Sequence, residues 1–133
     1  MGPEGTQKDR GPSRVVIVDD DPAVRSALGR LLRVGGWEVR AFGSAEEFLE
    51  SCNPAEVDCL IVDVYLGGMS GIDLHSRLGL GGQQPPTVFV TAHDDAPVLR
   101  MCLRGQGVAY LRKPFEDRSL FAAIQRAVAE MQS

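Results

Sequence analysis

Cys59-Leu60-Ile61-Val62-Asp63-Val64-Tyr65 opens with four apolar residues, stops at a carboxylate, and leads into the glycine-rich loop Leu66-Gly67-Gly68-Met69-Ser70-Gly71. An unbroken apolar run this short, bounded by turn residues, suits a strand covered on both faces better than a helix. Asp63 then stands where the strand leaves the core and its end meets solvent. It is the candidate reactive carboxylate of the chain.

Two similar runs flank it. Val15-Val16-Ile17-Val18 ends at Asp19-Asp20-Asp21, and Thr87-Val88-Phe89-Val90 ends at Thr91. Two mixed runs complete the set. Trp37-Glu38-Val39-Arg40-Ala41-Phe42 alternates apolar and polar, as an edge strand with one wet face should. Val108-Ala109-Tyr110-Leu111-Arg112-Lys113 is succeeded directly by Pro114.

Helical spacing fills the gaps between these runs. Behind an Asp21 cap with Pro22 at the first position, Ala23, Val24, Ala27, Leu28, Leu31 and Leu32 give one apolar stripe, ended by Gly35-Gly36. Ser44 and Glu47 form a capping box ahead of Phe48 and Leu49. Ile72, Leu74 and Leu78 predict a third helix stopped by Gly79, Gly81 and Gly82. Asp95 caps a fourth through Val98, Leu99, Cys102 and Leu103. A fifth carries Leu120, Phe121, Ile124, Val128 and Met131 on one face.

Five alternations of strand and helix predict an α/β, doubly wound (βα)5 parallel sheet. The apolar-only strands belong in its centre and the mixed strands at its edges, which the flavodoxin-like order 2-1-3-4-5 satisfies. Ligands of that arrangement sit beyond the strand C-termini, at the switch point between strands 1 and 3. One domain over 14–131 is expected. Residues 1–13, with three glycines, two prolines and no periodicity, read as a disordered tail or cloning remnant.

Composition narrows the function classes. No apolar stretch nears the roughly 20 residues that span a bilayer, and no charged start precedes an apolar run as in a secretory signal. Met1-Gly2 with Thr6 matches the myristoylation pattern formally, but Pro3 is awkward there and the match is read as chance. The net charge of −4 argues against direct nucleic-acid binding. Cys52, Cys59 and Cys102 have no pair spacing, and neither His75 nor His93 has ligand spacing with them. The cysteines read as small core hydrophobes, and a cytoplasmic location is the default expectation. Of fourteen basic residues only Lys8 and Lys113 are lysines, so the one lysine beyond the tail invites a specific role.

In a parallel sheet all strand C-termini share one edge, so the residues directly behind the apolar runs meet there: Asp19 and Asp20, Asp63, Thr91 and Lys113. Clustered carboxylates raise one another's pKa unless a cation neutralises them. Oxygen-only ligands suit Mg2+, with a backbone carbonyl just after Asp63, that of Tyr65, completing the shell. Magnesium beside a carboxylate, an ammonium and a hydroxyl is an arrangement for phosphoryl transfer, with Asp63 as the acceptor.

Asp19-Asp20, Asp63, Thr91 and Lys113-Pro114-Phe115 together resemble the receiver domain of two-component response regulators. Thr91-Ala92-His93-Asp94-Asp95-Ala96-Pro97 further resembles the nitrogen-fixation-regulator-like subfamily, which joins this domain to a DNA-binding helix-turn-helix. The resemblance implies phosphorylation of Asp63 by a histidine kinase. It implies Mg2+ held by Asp20, Asp63 and the Tyr65 carbonyl, with Asp19 binding through water or orienting the site. It also implies phosphoryl contacts from Thr91 and Lys113 and a cis bond before Pro114. Tyr110 is the expected switch aromatic, moving with Thr91 to remodel the face of the fourth helix, fifth strand and fifth helix, the candidate dimer or output surface. The family often carries Met-Pro after the acceptor, where this chain has Leu66-Gly67-Gly68. The resemblance further implies that Tyr65 and His93, two residues after Asp63 and Thr91, occupy positions that in the family tend to tune dephosphorylation.

The alternative is a small Mg-dependent phosphatase with an aspartate nucleophile. Its D-x-D-x-Thr/Val motif fails at the last place of Asp19-Asp20-Asp21-Pro22-Ala23, and the chain has no length for a cap domain. A nucleotide- or flavin-binding module lacks its glycine-rich turn after strand 1.

Overall fold

The computed structural model describes residues 13–92, 100 and 108–132, with side chains as far as residue 129. In chain order these form β1 (Arg14–Val18), α1 (Pro22–Val34), β2 (Glu38–Phe42), α2 (Ala45–Ser51), a single 3-10 turn (Pro54–Glu56), β3 (Cys59–Asp63), α3 (Gly71–Leu80), β4 (Thr87–Thr91), β5 (Val108–Arg112) and α4 (Asp117–Gln132). The last of these, α4, is the fifth helix expected from sequence. Apart from Arg100, the expected fourth helix, with Cys102, lies outside the described residues, as does the loop residue His93.

All four strand pairings are parallel and the order is β2-β1-β3-β4-β5. Central β3 alternates between two cores. Leu60 and Val62 face a cluster with Phe42, Phe48, Leu74, Leu78 and Phe89. Cys59 and Ile61 face one with Leu28, Leu32, Leu120 and Ile124. Side chains of successive strand residues point to opposite faces, so a strand buried on both must be apolar throughout, as the sequence of β3 is. Burial pushes the Cys59 thiol up to about 12, so this cysteine is an inert core residue, while Cys52 is half-buried and free.

Some details differ from the sequence reading. On β2 the strict alternation fails at Phe42, which turns to the face of Glu38 and Arg40 and is buried edge-on against Phe48 of α2 while Ala41 is exposed. Helix α3 runs through Gly79 and ends at Leu80, its C-cap being Gly81. On α1, Leu28, Gly29 and Leu32 are buried, but Ala23 and Ala27 are exposed, so the inward stripe is narrower than the apolar pattern. On α4 the inward face is Leu120, Ala123, Ile124 and Ala127, with Phe121 and Val128 at its margin.

The Asp21 and Ser44 caps expected from sequence form, and the expected Asp95 cap lies outside the described residues. Asp21 Oδ1 accepts the Ala23 N–H at 2.9 Å, with Pro22 opening α1. Ser44 Oγ accepts the Glu47 N–H at 3.0 Å, while Glu47 reaches back to the N–H of Gly43 at 2.8 Å rather than to Ser44 itself.

Candidate functional site

Parallel pairing places the ends of β1, β3, β4 and β5 along one edge. Asp19 comes directly after β1, Asp63 ends β3 and Thr91 ends β4, where it pairs with Arg112 of β5; Lys113 comes next. The Lys113 N–H donates to the Thr91 carbonyl at 2.7 Å, extending the ladder one residue beyond β5, and the Lys113–Pro114 peptide is cis.

Lys113 closes the site. Its Nζ donates to Asp63 Oδ2 at 2.9 Å and to Asp19 Oδ2 at 3.2 Å, joining residues 50 and 94 positions apart. The other oxygens are held by backbone. Asp19 Oδ1 accepts the Asp21 N–H and Asp63 Oδ1 accepts the Tyr65 N–H, each at 2.9 Å. The Asp19 carbonyl takes a 2.7 Å bond from Arg25 of α1. Each carboxylate is thus fixed at both ends, one end by its own loop and the other by the ammonium.

Electrostatics here come from burial. Asp19 is 2 % exposed, and desolvation holds its carboxyl above the ordinary range despite the Asp21 N–H and Lys113. For Lys113 burial acts to lower the pKa, but the bond to Asp63 and the two carboxylate charges outweigh it and the ammonium is held above its usual value. Both effects describe one arrangement, a cation shared by two acids. Two carboxylates against one ammonium leave a formal negative charge over.

The remaining expected residues lie on the same strands or directly after them. Asp20 is exposed, next in the chain after the buried Asp19. Tyr65 is 53 % exposed, its backbone N–H tied to Asp63. Thr91 is fully buried, one residue beyond Val90, the register partner of Asp63. Tyr110 pairs with Phe89, is half-buried, and packs on the α2–α3 side of the sheet. By the two-residue period Thr91 falls on that same face. Among the described residues no three carboxylate, histidine or cysteine side chains stand close enough to form a ready-made metal cage. The donors that do converge are all oxygens, which is the chemistry of a hard divalent ion.

Sequence reasoning missed the local backing of Asp63. The first residue of α3, Gly71, lies so close beneath it that a Cβ there would stand 2.3 Å from the Asp63 carbonyl oxygen. It also missed Glu46, whose carboxylate accepts the Met69 N–H in the loop after Asp63 at 3.0 Å. The signal available for Gly71 was its place just before the apolar stripe of α3. For Glu46 there was none beyond the bareness of the Gly67-Gly68 loop.

Known proteins resemble this chain in sequence and in fold. The chain is 41 % identical over 113 residues to nodulation protein W of Bradyrhizobium diazoefficiens, covering 85 % of this chain and 50 % of that protein. It is 34 % identical over 113 residues to the transcriptional regulatory protein FixJ of Rhizobium meliloti, covering 85 % and 55 %. The chain therefore spans about half the length of these curated relatives. Among solved structures, response regulator StyR superposes with a TM-score of 0.79 at 39 % identity, covering 92 % of this chain and 62 % of that one. The crystal structure titled FixJ-N gives 0.74 at 32 % identity, covering 88 % and 94 %. With the family model for the response regulator receiver domain matching residues 15–125, from the first apolar strand into the last helix, the chain belongs to the response regulator receiver family.

Proposed function

We propose that the chain is a phospho-accepting switch of a two-component system, with Asp63 the residue that takes the phosphoryl group from a histidine kinase. The observation that carries this reading is the Lys113 ammonium seated between Asp63 and Asp19, at 2.9 and 3.2 Å, on the switch-point edge of the sheet. Family membership supports the same chemistry.

A carboxylate oxygen of Asp63 attacks phosphorus, the bond from phosphorus to the kinase imidazole nitrogen breaks with its electron pair left on nitrogen, and an acyl phosphate forms. Lys113 offsets the charge that arrives at Asp63. Thr91 offers its hydroxyl to a phosphoryl oxygen. The oxygen donors fit Mg2+: Asp19, Asp20 and Asp63 with the Tyr65 carbonyl would hold it. When bound, it supplies positive charge to the phosphoryl oxygens. Asp63 is a stoichiometric acceptor rather than the nucleophile of a turnover enzyme.

Movement of Thr91 toward the modified Asp63 lets Tyr110 move with it, changing the face formed by the expected fourth helix, β5 and α4. That is a local charge event biasing a two-state element. Through this face the domain would meet a second copy or a DNA-binding output domain beyond residue 133, a reading the relatives' names as transcriptional regulators support.

Acetyl phosphate or beryllofluoride with Mg2+ should modify or bind the wild-type chain, and Asp63→Asn should abolish this, read as intact mass. Equal labelling of Asp63→Asn would remove Asp63 as acceptor. Sustained turnover of a phosphate ester would favour the phosphatase alternative.

A further inference from the structure

Glu46 lies in the first turn of α2, away from the carboxylate–lysine cluster, yet its side chain crosses to the loop just after Asp63. Glu46 Oε2 accepts the Met69 N–H at 3.0 Å. The same carboxylate packs against Gly68, where a Cβ would stand 2.9 Å from Oε2 and 3.4 Å from Oε1. Gly68 has φ +78°, a backbone conformation that glycine adopts freely and other residues resist. Glycine is thus required at 68 on two separate counts, by its backbone φ and by the Glu46 carboxylate on its face. That partner is charged, since the Met69 N–H holds the Glu46 carboxyl below its ordinary range.

Glu46 reaches out from a fixed base. The turn that carries it is closed by Ser44 Oγ on the Glu47 N–H and by Glu47 on the N–H of Gly43. The loop it grips is tied at its start by the Tyr65 N–H on Asp63 Oδ1 and at its end by the Gly71 N–H on the Val64 carbonyl. Between those ties Leu66 and Met69 pack against the core, and Gly67-Gly68 between them, with no proline, is the least stiff backbone of the loop. A loop free in its middle would let the Tyr65 N–H wander from the acceptor oxygen.

We propose that Glu46 is a positioning residue for Asp63: a carboxylate latch from α2 that supplies the rigidity the glycine loop lacks, and so keeps the Tyr65 N–H against Asp63 Oδ1. Gly68 is the other half of the latch, the residue that admits the carboxylate. The latch can be tested without any assumption about chemistry; only its consequence for labelling rests on Asp63 being the acceptor.

The test uses the whole chain as wild type, Glu46→Ala, Glu46→Gln and Gly68→Ala. In the metal-free protein, amide hydrogen exchange at Met69 and Tyr65 should speed up by about tenfold in Glu46→Ala and Gly68→Ala, with core amides such as Leu60 and Phe89 unchanged. Glu46→Gln keeps an acceptor oxygen and should stay within about threefold of wild type. A misplacement on the order of 1 Å can cost about 100-fold in rate. A loosened rather than displaced loop should therefore slow acetyl phosphate labelling at saturating Mg2+ by about three- to tenfold, with Glu46→Gln restoring most of it. Wild-type exchange at Met69 and Tyr65 in Glu46→Ala would overturn the latch. Faster exchange with an unchanged labelling rate would overturn its positioning role. A wild type that takes no label would overturn the acceptor reading instead, leaving the exchange result to decide the latch.

Discussion

Gly71→Ala sets two opposing effects against each other at the base of the site. Gly71 is the first residue of α3, and its backbone needs no positive φ. Alanine there should gain helix propensity, at most about 1 kcal/mol. Against this, the new Cβ would lie 2.3 Å from the Asp63 carbonyl oxygen, 3.1 Å from its carbonyl carbon and 3.1 Å from Val62 Cγ2. Real contacts of this kind stay above 3.0 Å, so α3 and the end of β3 must part by at least about 0.7 Å. The obstacle is backbone in the central strand and cannot rotate away. Overpacking costs about 1–3 kcal/mol even where side chains can adjust, so the steric effect wins. A net loss of about 1–2 kcal/mol corresponds to a melting temperature lower by roughly 3–10 °C for a domain of this size. Thermal and urea unfolding monitored by circular dichroism would measure it. Gly67→Ala, where nothing lies within 4 Å, is the control and should change stability by less than about 0.5 kcal/mol. A Gly71→Ala protein as stable as wild type would refute the reasoning, since α3 would then be free to lift from Asp63 at no cost.

Two further outcomes are expected. Lys113→Met removes the ammonium shared by Asp19 and Asp63 and should slow acetyl phosphate labelling by about 100-fold, in line with loss of one preorganised charge-stabilising donor. An unchanged labelling rate would mean that Lys113 stabilises the apo site only. His75 is buried, its ring edge-on to Phe89 and its Nδ1 3.2 Å from Gln84 Nε2, and burial holds its pKa below the ordinary value. The unfolded chain then binds the proton more readily than the folded one, so stability is full above the unfolded pKa of about 6.5 and declines as pH falls below it. Urea midpoints between pH 7.5 and 5.5 should drop for wild type and flatten in His75→Gln. Equal slopes would show that His75 protonates without penalty.

The sheet was legible because its central strands must be apolar on both faces, and such runs cannot be hidden in a sequence. Their C-terminal residues were legible for the same reason: Asp19, Asp63 and Thr91 each end a run, and parallel pairing carries them to one edge. What could not be read was set by contacts between elements distant in sequence. Phe42 lies on the face of the exposed Glu38 and Arg40, and it is buried because it packs edge-on against Phe48 of α2 in the core. Gly79 looked like a helix stop, yet α3 continues one residue past it, because glycine is tolerated where the next turn still finds its bonds. Glu46 reads as an ordinary acidic residue in a first helical turn, where it complements the dipole. Its bond to Met69 appears only once α2 and the loop after β3 are side by side.

The bond from Lys113 to Asp19 spans 94 residues. During synthesis, every acidic side chain of the pocket is made long before the lysine that neutralises it. A nascent chain halted before β5 would carry Asp19 and Asp63 on neighbouring strands with no counter-charge between them and with one side of β4 bare. Contacts of such sequence separation form late because the chain entropy they remove is large. The counter-charge of the pocket therefore comes into place as one of the last events of folding.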